Sequence, residues 1–157
     1  MEKRRIILDT DIGPDCDDCG ALAILDRACT DGKIDLLGVT HCTSGLLSVD
    51  VIAAINDWFV VSAPIGQTDR KEFFADATKY TKPVSDTYRA SGKNAPATEK
   101  PVPLLRRLLA ENTGVTFVLI GPLGNLADLL DSEPDEISPL DGVSLVRKSV
   151  DKVVIMG

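Results

Sequence analysis

Five carboxylates fall within ten positions of this sequence: Asp9, Asp11, Asp15, Asp17 and Asp18. Acids this close repel one another, so in a folded loop several must be protonated, solvated or bound to a cation. An all-oxygen donor set suits a hard ion, calcium or magnesium, rather than zinc. Ahead of the acids, Ile6, Ile7 and Leu8 read as the end of a buried strand. Gly13-Pro14 marks a turn, and Ala21, Leu22, Ala23, Ile24 and Leu25 open an apolar helix. A solvated acidic loop with Asp17 or Asp18 in the helix's first turn is the alternative. The position between a buried strand and a helix, where open α/β sheets place their sites, favours a metal or ligand site.

The remaining reactive residues are few. Cys16 and Cys19 form a C-x-x-C pair, joined by Cys29 and Cys42, and the sole histidine is His41. A structural zinc site would need a second such pair, which is absent from the sequence. A redox pair is disfavoured because Asp17 and Asp18, lying between the thiols, raise thiol pKa values. The cysteines therefore read as small, mostly buried residues.

The chain has 157 residues, 44% hydrophobic and 26% charged, enough for one globular domain with a core. Its net charge of −7 argues against nucleic acid or an anionic membrane as partner and suits cation binding. No stretch has the length and apolarity of a membrane span. Residues 1–5 run into a strand without an apolar leader, so a cytoplasmic protein is expected.

Strands are expected at 4–9, 34–40, 63–66, 115–120 and 153–156, and helices at 17–30, 46–59, 101–110, from 126 and from 143. The polar stretch 67–100, with Tyr80, Tyr88 and Arg89, reads as a long functional loop or lid. On the helix from Pro101, Val102, Leu105, Leu108 and Leu109 are expected to face the core and Arg106-Arg107 water. Alternation of strand and helix predicts a doubly wound α/β fold with a mostly parallel, Rossmann-like sheet. Right-handed crossovers then bring the acidic loop, the His41–Gly45 loop and the glycine-rich Gly121–Asn125 loop to one sheet edge. A strand ending at the last residue gives the chain the look of the first part of a larger protein.

Asp9-Thr10-Asp11-Ile12-Gly13 followed by Asp17-Asp18 and Ala21-Leu22 resembles the signature of the inosine-uridine-preferring nucleoside hydrolase family. Asn56, the segment Val118 to Leu126 and the strand Val153 to Gly157 resemble three further stretches of it. The resemblance runs through residues 1–157 but through only the N-terminal half of the family's usual length. It implies a nucleoside hydrolase-like fold and calcium-dependent cleavage, by water, of the N-glycosidic bond of a small-molecule nucleoside. Asp11 would be a calcium ligand and the base for the attacking water, Asp18 a second ligand, and Gly124 a ligand through its main-chain carbonyl. Asp17 would hold a ribose hydroxyl, and Met156 would line the sugar or base pocket. Asp9, Asp15 and Asn125 would support the loop. A homo-oligomer is expected.

The sequence departs from that pattern in two places. The acidic loop is two residues longer, so Asp15 competes with Asp17 and Asp18 for metal and ribose contacts. Ser44-Gly45 replaces the glycine-asparagine after the second strand, which removes a ribose-contacting amide. The family's later aspartate ligand and histidine have no counterpart here, and His41 lies in the wrong segment to replace the latter. Poor turnover by residues 1–157 alone is therefore expected. Two other readings stay open: a calcium-binding member of this fold with incomplete catalytic machinery, and a haloacid-dehalogenase-type phosphotransferase with Asp9 as nucleophile.

Overall fold

The computed structural model describes residues 3–45, 47–70 and 79–156. The expected helix start at Leu46, much of the first part of the 67–100 stretch, the first two residues and Gly157 lie outside these. In chain order the elements are β1 (Arg4–Thr10), α1 (Asp17–Thr30), β2 (Ile34–His41), α2 (Ser48–Phe59), β3 (Ile65–Gln67), α3 (Thr81–Ala90), α4 (Pro101–Glu111), β4 (Val115–Leu119), α5 (Gly124–Leu130), α6 (Gly142–Ser149) and β5 (Val150–Ile155). The five strands form one parallel sheet in the order β3-β2-β1-β4-β5. The doubly wound fold expected from the alternation is the one found.

Side-chain alternation along β1 divides the core. Ile6 and Leu8 join the cluster under α1, α2 and α3, with Val39, Val51 and Ile52. Ile7 joins the opposite cluster under α4, α5 and α6, with Leu104, Phe117, Leu129 and Leu145. The winding direction reverses between β1 and β4, whose neighbouring C-terminal ends lead to helices on opposite faces. That is the switch point at which open α/β sheets hold ligands.

Three local expectations are corrected. On α1, Ile24 is exposed while Asp26 is buried, because the packed stripe runs Leu22, Leu25, Asp26 and Cys29 at helical spacing. The stretch 67–100 contains α3, which docks on α2 through polar contacts. Ser85 Oγ donates to Asp50 Oδ2 at 2.5 Å, as does Arg89 Nε at 2.7 Å, and Tyr88 donates to Asp57 at 3.0 Å. Arg106 is 1% exposed rather than facing water. At the far edge of the sheet, β5 exposes Val153, Val154 and Ile155.

Asp26 has an expected signature in pH. Neither carboxylate oxygen has a hydrogen-bond partner among the described residues, and burial pushes its pKa up to about 7. The folded state therefore holds a proton that the unfolded chain has already released, so this group's contribution to stability falls as pH rises from about 4 to about 7 and is level above. Asp26→Asn is expected to match the parent near pH 4 and to exceed it at about pH 8 by on the order of 2–4 kcal/mol. Urea unfolding of both proteins across this range checks it; parallel stability curves would contradict it.

Candidate functional site

The end of β1 connects to both flanking helices because consecutive residues of a strand point to opposite faces. Thr10 turns toward α1, where its hydroxyl donates a short hydrogen bond to Asp18. Asp9 turns toward α5, where Asn125 Nδ2 donates to its Oδ1 at 2.7 Å. Thr40, its cross-strand neighbour on β2, donates to the same oxygen. Asp11 leaves the sheet between the two helices.

Asp15, Asp17 and Asp18 each place a carboxylate oxygen within 4.8 Å of the others. Asp15 and Asp17 are exposed, whereas Asp18 is 3% exposed. Asp11 is half-buried beside them. Burial, then the neighbouring charges of Asp11 and Asp17, pushes Asp18 up to about 6, against the lowering effect of the Thr10 hydroxyl. Burial likewise raises Asp11 above the usual carboxylate range, with Asp15 and Asp17 adding to it. Asp15 and Asp17 lie side by side, and their shared hydrogen bond raises Asp15 and lowers Asp17. Beneath them Asp9 is fully buried, its pKa raised by burial to about 7 and its Oδ2 without a hydrogen-bond partner among the described residues. Four acids thus gain from any cation placed among them, and the donors are all oxygen, which fits calcium.

The glycine-rich connection after β4 closes over this loop. Ile120 N–H donates to Asp9 carbonyl at 2.9 Å. A Cβ at Gly121 would lie 2.9 Å from Asp11 Oδ1 and 2.7 Å from Cys42 Sγ, so only glycine lets the two segments approach this closely. The expected helix from Leu126 begins earlier: Leu123 carbonyl accepts from Ala127 N–H at 2.9 Å, and α5 opens at Gly124. Gly124 and Asn125 are therefore buried residues of its first turn. Met156 follows β5, 57% exposed, its N–H donating to Leu119 carbonyl at 3.0 Å. It lies at the same sheet edge as the acidic loop.

His41 is fully buried, and its Nε2 meets the carbonyl of Ile12 at 3.1 Å. Burial lowers its pKa, so it is a neutral support for the acidic loop. Gln67 Nε2 extends that support, donating to the carbonyls of Thr43 at 2.7 Å and Thr68 at 3.0 Å. Asn56 lies near the C-terminal end of α2, at the sheet edge opposite the acids. All four cysteines are free; Cys16 is exposed, contrary to expectation, and burial pushes the Cys19 thiol up, as a redox role would not require. Sequence reasoning missed Thr10, Thr40, Cys42 and Gly121. Strand register and alternation hold the signal for the first two, since a polar residue at a buried strand end needs a partner on its own face.

The likeness to known proteins lies in structure. The type III effector protein XopQ, solved in complex with adenosine diphosphate ribose, superposes with a TM-score of 0.71 at 17% identity, covering 99% of this chain and 43% of XopQ. The effector protein XOO4466 superposes with a TM-score of 0.72, also at 17% identity, covering 99% of this chain and 44% of its own. The chain spans less than half the length of either. These likenesses establish a nucleoside hydrolase-like α/β fold. No protein-family model matches the chain, and no curated protein matches it by sequence. The motif resemblance to the inosine-uridine-preferring nucleoside hydrolases is thereby corrected: it does not amount to membership. The departures fall in the loops at the acidic sheet edge, at Asp15-Cys16, Ser44-Gly45 and Gly124.

Proposed function

We propose that this chain binds a ribosyl compound at the C-terminal edge of its sheet, beside a calcium ion, and takes part in hydrolysis of its N-glycosidic bond. The observation that carries the reading is the convergence of Asp11, Asp15, Asp17 and Asp18 at the switch point between β1 and β4. The complex of XopQ with adenosine diphosphate ribose supports a ribosyl ligand for this fold.

In this reading Asp11 and Asp18 hold the ion with the carbonyl of Gly124, and Asp17 accepts from a ribose hydroxyl. Met156 packs against the sugar or base. Asp9 and Asn125 keep Asp11 and the α5 turn in register, and Asp15 steadies Asp17. A bound calcium ion would supply charge and an acidified water. Asp11 takes the proton of the attacking water, and the carboxylates face the positive charge that develops on the sugar as the bond to the base breaks. The phosphotransferase reading loses its nucleophile, because Asp9 is fully buried and its Oδ1 is engaged by Thr40 and Asn125.

A binding role without turnover is the second reading. The observation favouring it is that His41, the sole histidine, is spent on the Ile12 carbonyl and does not serve the leaving base. Release of free base from adenosine diphosphate ribose, inosine and uridine, with calcium, separates the two. Under the hydrolytic reading Asp11→Ala is expected to lower release by roughly 10²–10⁴-fold. Equal release by the variant would remove Asp11 as base. Calcium-dependent binding with no release by the parent would favour the binding role for residues 1–157.

A further inference from the structure

A cavity lies at the opposite edge of the sheet. In a parallel sheet the covering helices run back against the strands, so the C-terminal end of α2 and the entry to β3 share the edge remote from the acidic loop. There the end of α2, the segment 61–65, Tyr88 of α3 and the segment 93–97 line an open cleft of about 590 Å³, of the size that small-molecule sites have.

One lining residue has an unmet need. Asn56 is 4% exposed, and its Oδ1 is buried with no hydrogen-bond partner among the described residues. Buried side-chain amides nearly always find partners, so an unpaired one beside a cavity marks a place for a ligand group. The charged groups are already satisfied. Asp57 accepts from Tyr88 hydroxyl at 3.0 Å and from Lys93 Nζ at 2.9 Å, and the Lys93 ammonium lies 5.8 Å from the centre of the Tyr88 ring. These contacts hold Asp57 below the usual carboxylate range, Lys93 the main cause. With that pair closed on itself, the cavity offers no free charge to an anion or a cation. Asn56, on the wall of the cavity, carries an acceptor and donors in one plane, and Pro64 and Pro96 add apolar wall.

We propose that this cavity binds a small, uncharged planar heterocycle of nucleobase type, whose adjacent hydrogen-bond donor and acceptor pair with the side-chain amide of Asn56. A carboxamide is the side chain that pairs in this two-point way with a nucleobase edge. The site is separate from the acidic loop and does not depend on the reading of that loop.

The test is titration of the ¹⁵N-labelled chain with adenine, uracil and nicotinamide in the presence of a chelator, so that no calcium-dependent site contributes. Saturable shifts of the Asn56 side-chain amide and of Asn94 are expected with at least one of the three. The expected dissociation constant is on the order of a millimolar or below, ordinary for a ligand of that size. Inorganic phosphate and benzamidine, charged probes, are expected to leave these signals unmoved. Asn56→Leu is expected to weaken binding roughly tenfold or more. Asn56→Asp, which keeps the shape and alters the hydrogen-bonding edge, is expected to reorder the preference among the three heterocycles. The backbone spectrum shows that each variant folds. No saturable shift with any heterocycle, shifts confined to residues 9–18, or unchanged affinity and preference in both variants would each overturn the proposal.

Discussion

Asp18→Asn is expected to weaken calcium binding by roughly a hundredfold or more, while leaving the fold in place. Three features of Asp18 combine to give so large an effect. It is the buried member of the converging group, so less water competes for its oxygens. The Thr10 hydroxyl fixes its orientation, so little ordering remains to be done when an ion arrives. Its pKa stands at about 6 because burial and the charges of Asp11 and Asp17 are uncompensated, and an ion relieves all three causes. Asparagine keeps the shape and one carbonyl oxygen but removes the charge. Calcium affinity should also climb with pH. Below about pH 6 the ion must displace protons from Asp18 and its neighbours, so affinity is expected to fall by roughly tenfold or more per unit there and to level near neutrality. Calorimetric titration of the parent and of Asp18→Asn at several pH values measures both effects. Equal affinity in the two proteins would contradict the assignment of Asp18.

Arg106→Met is expected to cost about 3 kcal/mol of stability, or about 6–12 °C in Tm. Its guanidinium fastens the whole connection between α5 and α6. Nε and Nη2 pair with the two oxygens of Asp135 at 2.9 and 2.8 Å, and Nη1 donates to Ser132 Oγ at 2.8 Å. Nη2 also reaches the carbonyls of Ser138 at 3.1 Å and Leu140 at 2.9 Å. Methionine fills much of the volume but leaves those two carbonyls without that donor. The loss falls at the low end of the range for a broken buried pair because Asp135 retains access to water, its side chain 37% exposed. Thermal unfolding checks the figure, and a shift under about 2 °C would mean that the network contributes little.

Arg106 also shows where sequence reading stops. Two adjacent arginines on a helix suggest a wet face, and Arg107 is indeed only half-buried. Position 106 lies at the margin of the stripe formed by Leu104, Leu105, Leu108 and Leu109, and what covers it is the polar segment 131–141, some thirty residues on in sequence. Helical periodicity describes one helix and carries no information about what lies across it. Helix α3 was hidden for a related reason. Its mixture of lysine, serine, aspartate and threonine masks the four-residue spacing of Tyr80, Val84 and Tyr88, which pack on the core, and it docks also through Asp50 and Asp57.

The sheet was legible because parallel strands are apolar on both faces and stand out from amphipathic helices; β1, β2 and β4 lie where their sequences place them. The edge strand β3 is three residues long and shifted to Ile65–Gln67, since a short strand carries little pattern. Of the site, the acids were legible as a cluster, and their common edge followed from the crossover rule. The division between buried Asp18 and exposed Asp15 and Asp17 was not legible, because it depends on Thr10 drawing Asp18 inward.

The proposed site at the acidic edge holds a calcium ion and a ribosyl ligand together. Its most direct test is calorimetric titration of the chain with adenosine diphosphate ribose, once with calcium and once with chelator, repeated on Asp17→Asn. One site is expected, its affinity at least roughly tenfold higher with calcium, with a loss of similar size in Asp17→Asn, equivalent to one coupling and one hydrogen bond to a charged group. Binding that is equally tight with chelator, or no binding in either condition, would contradict it.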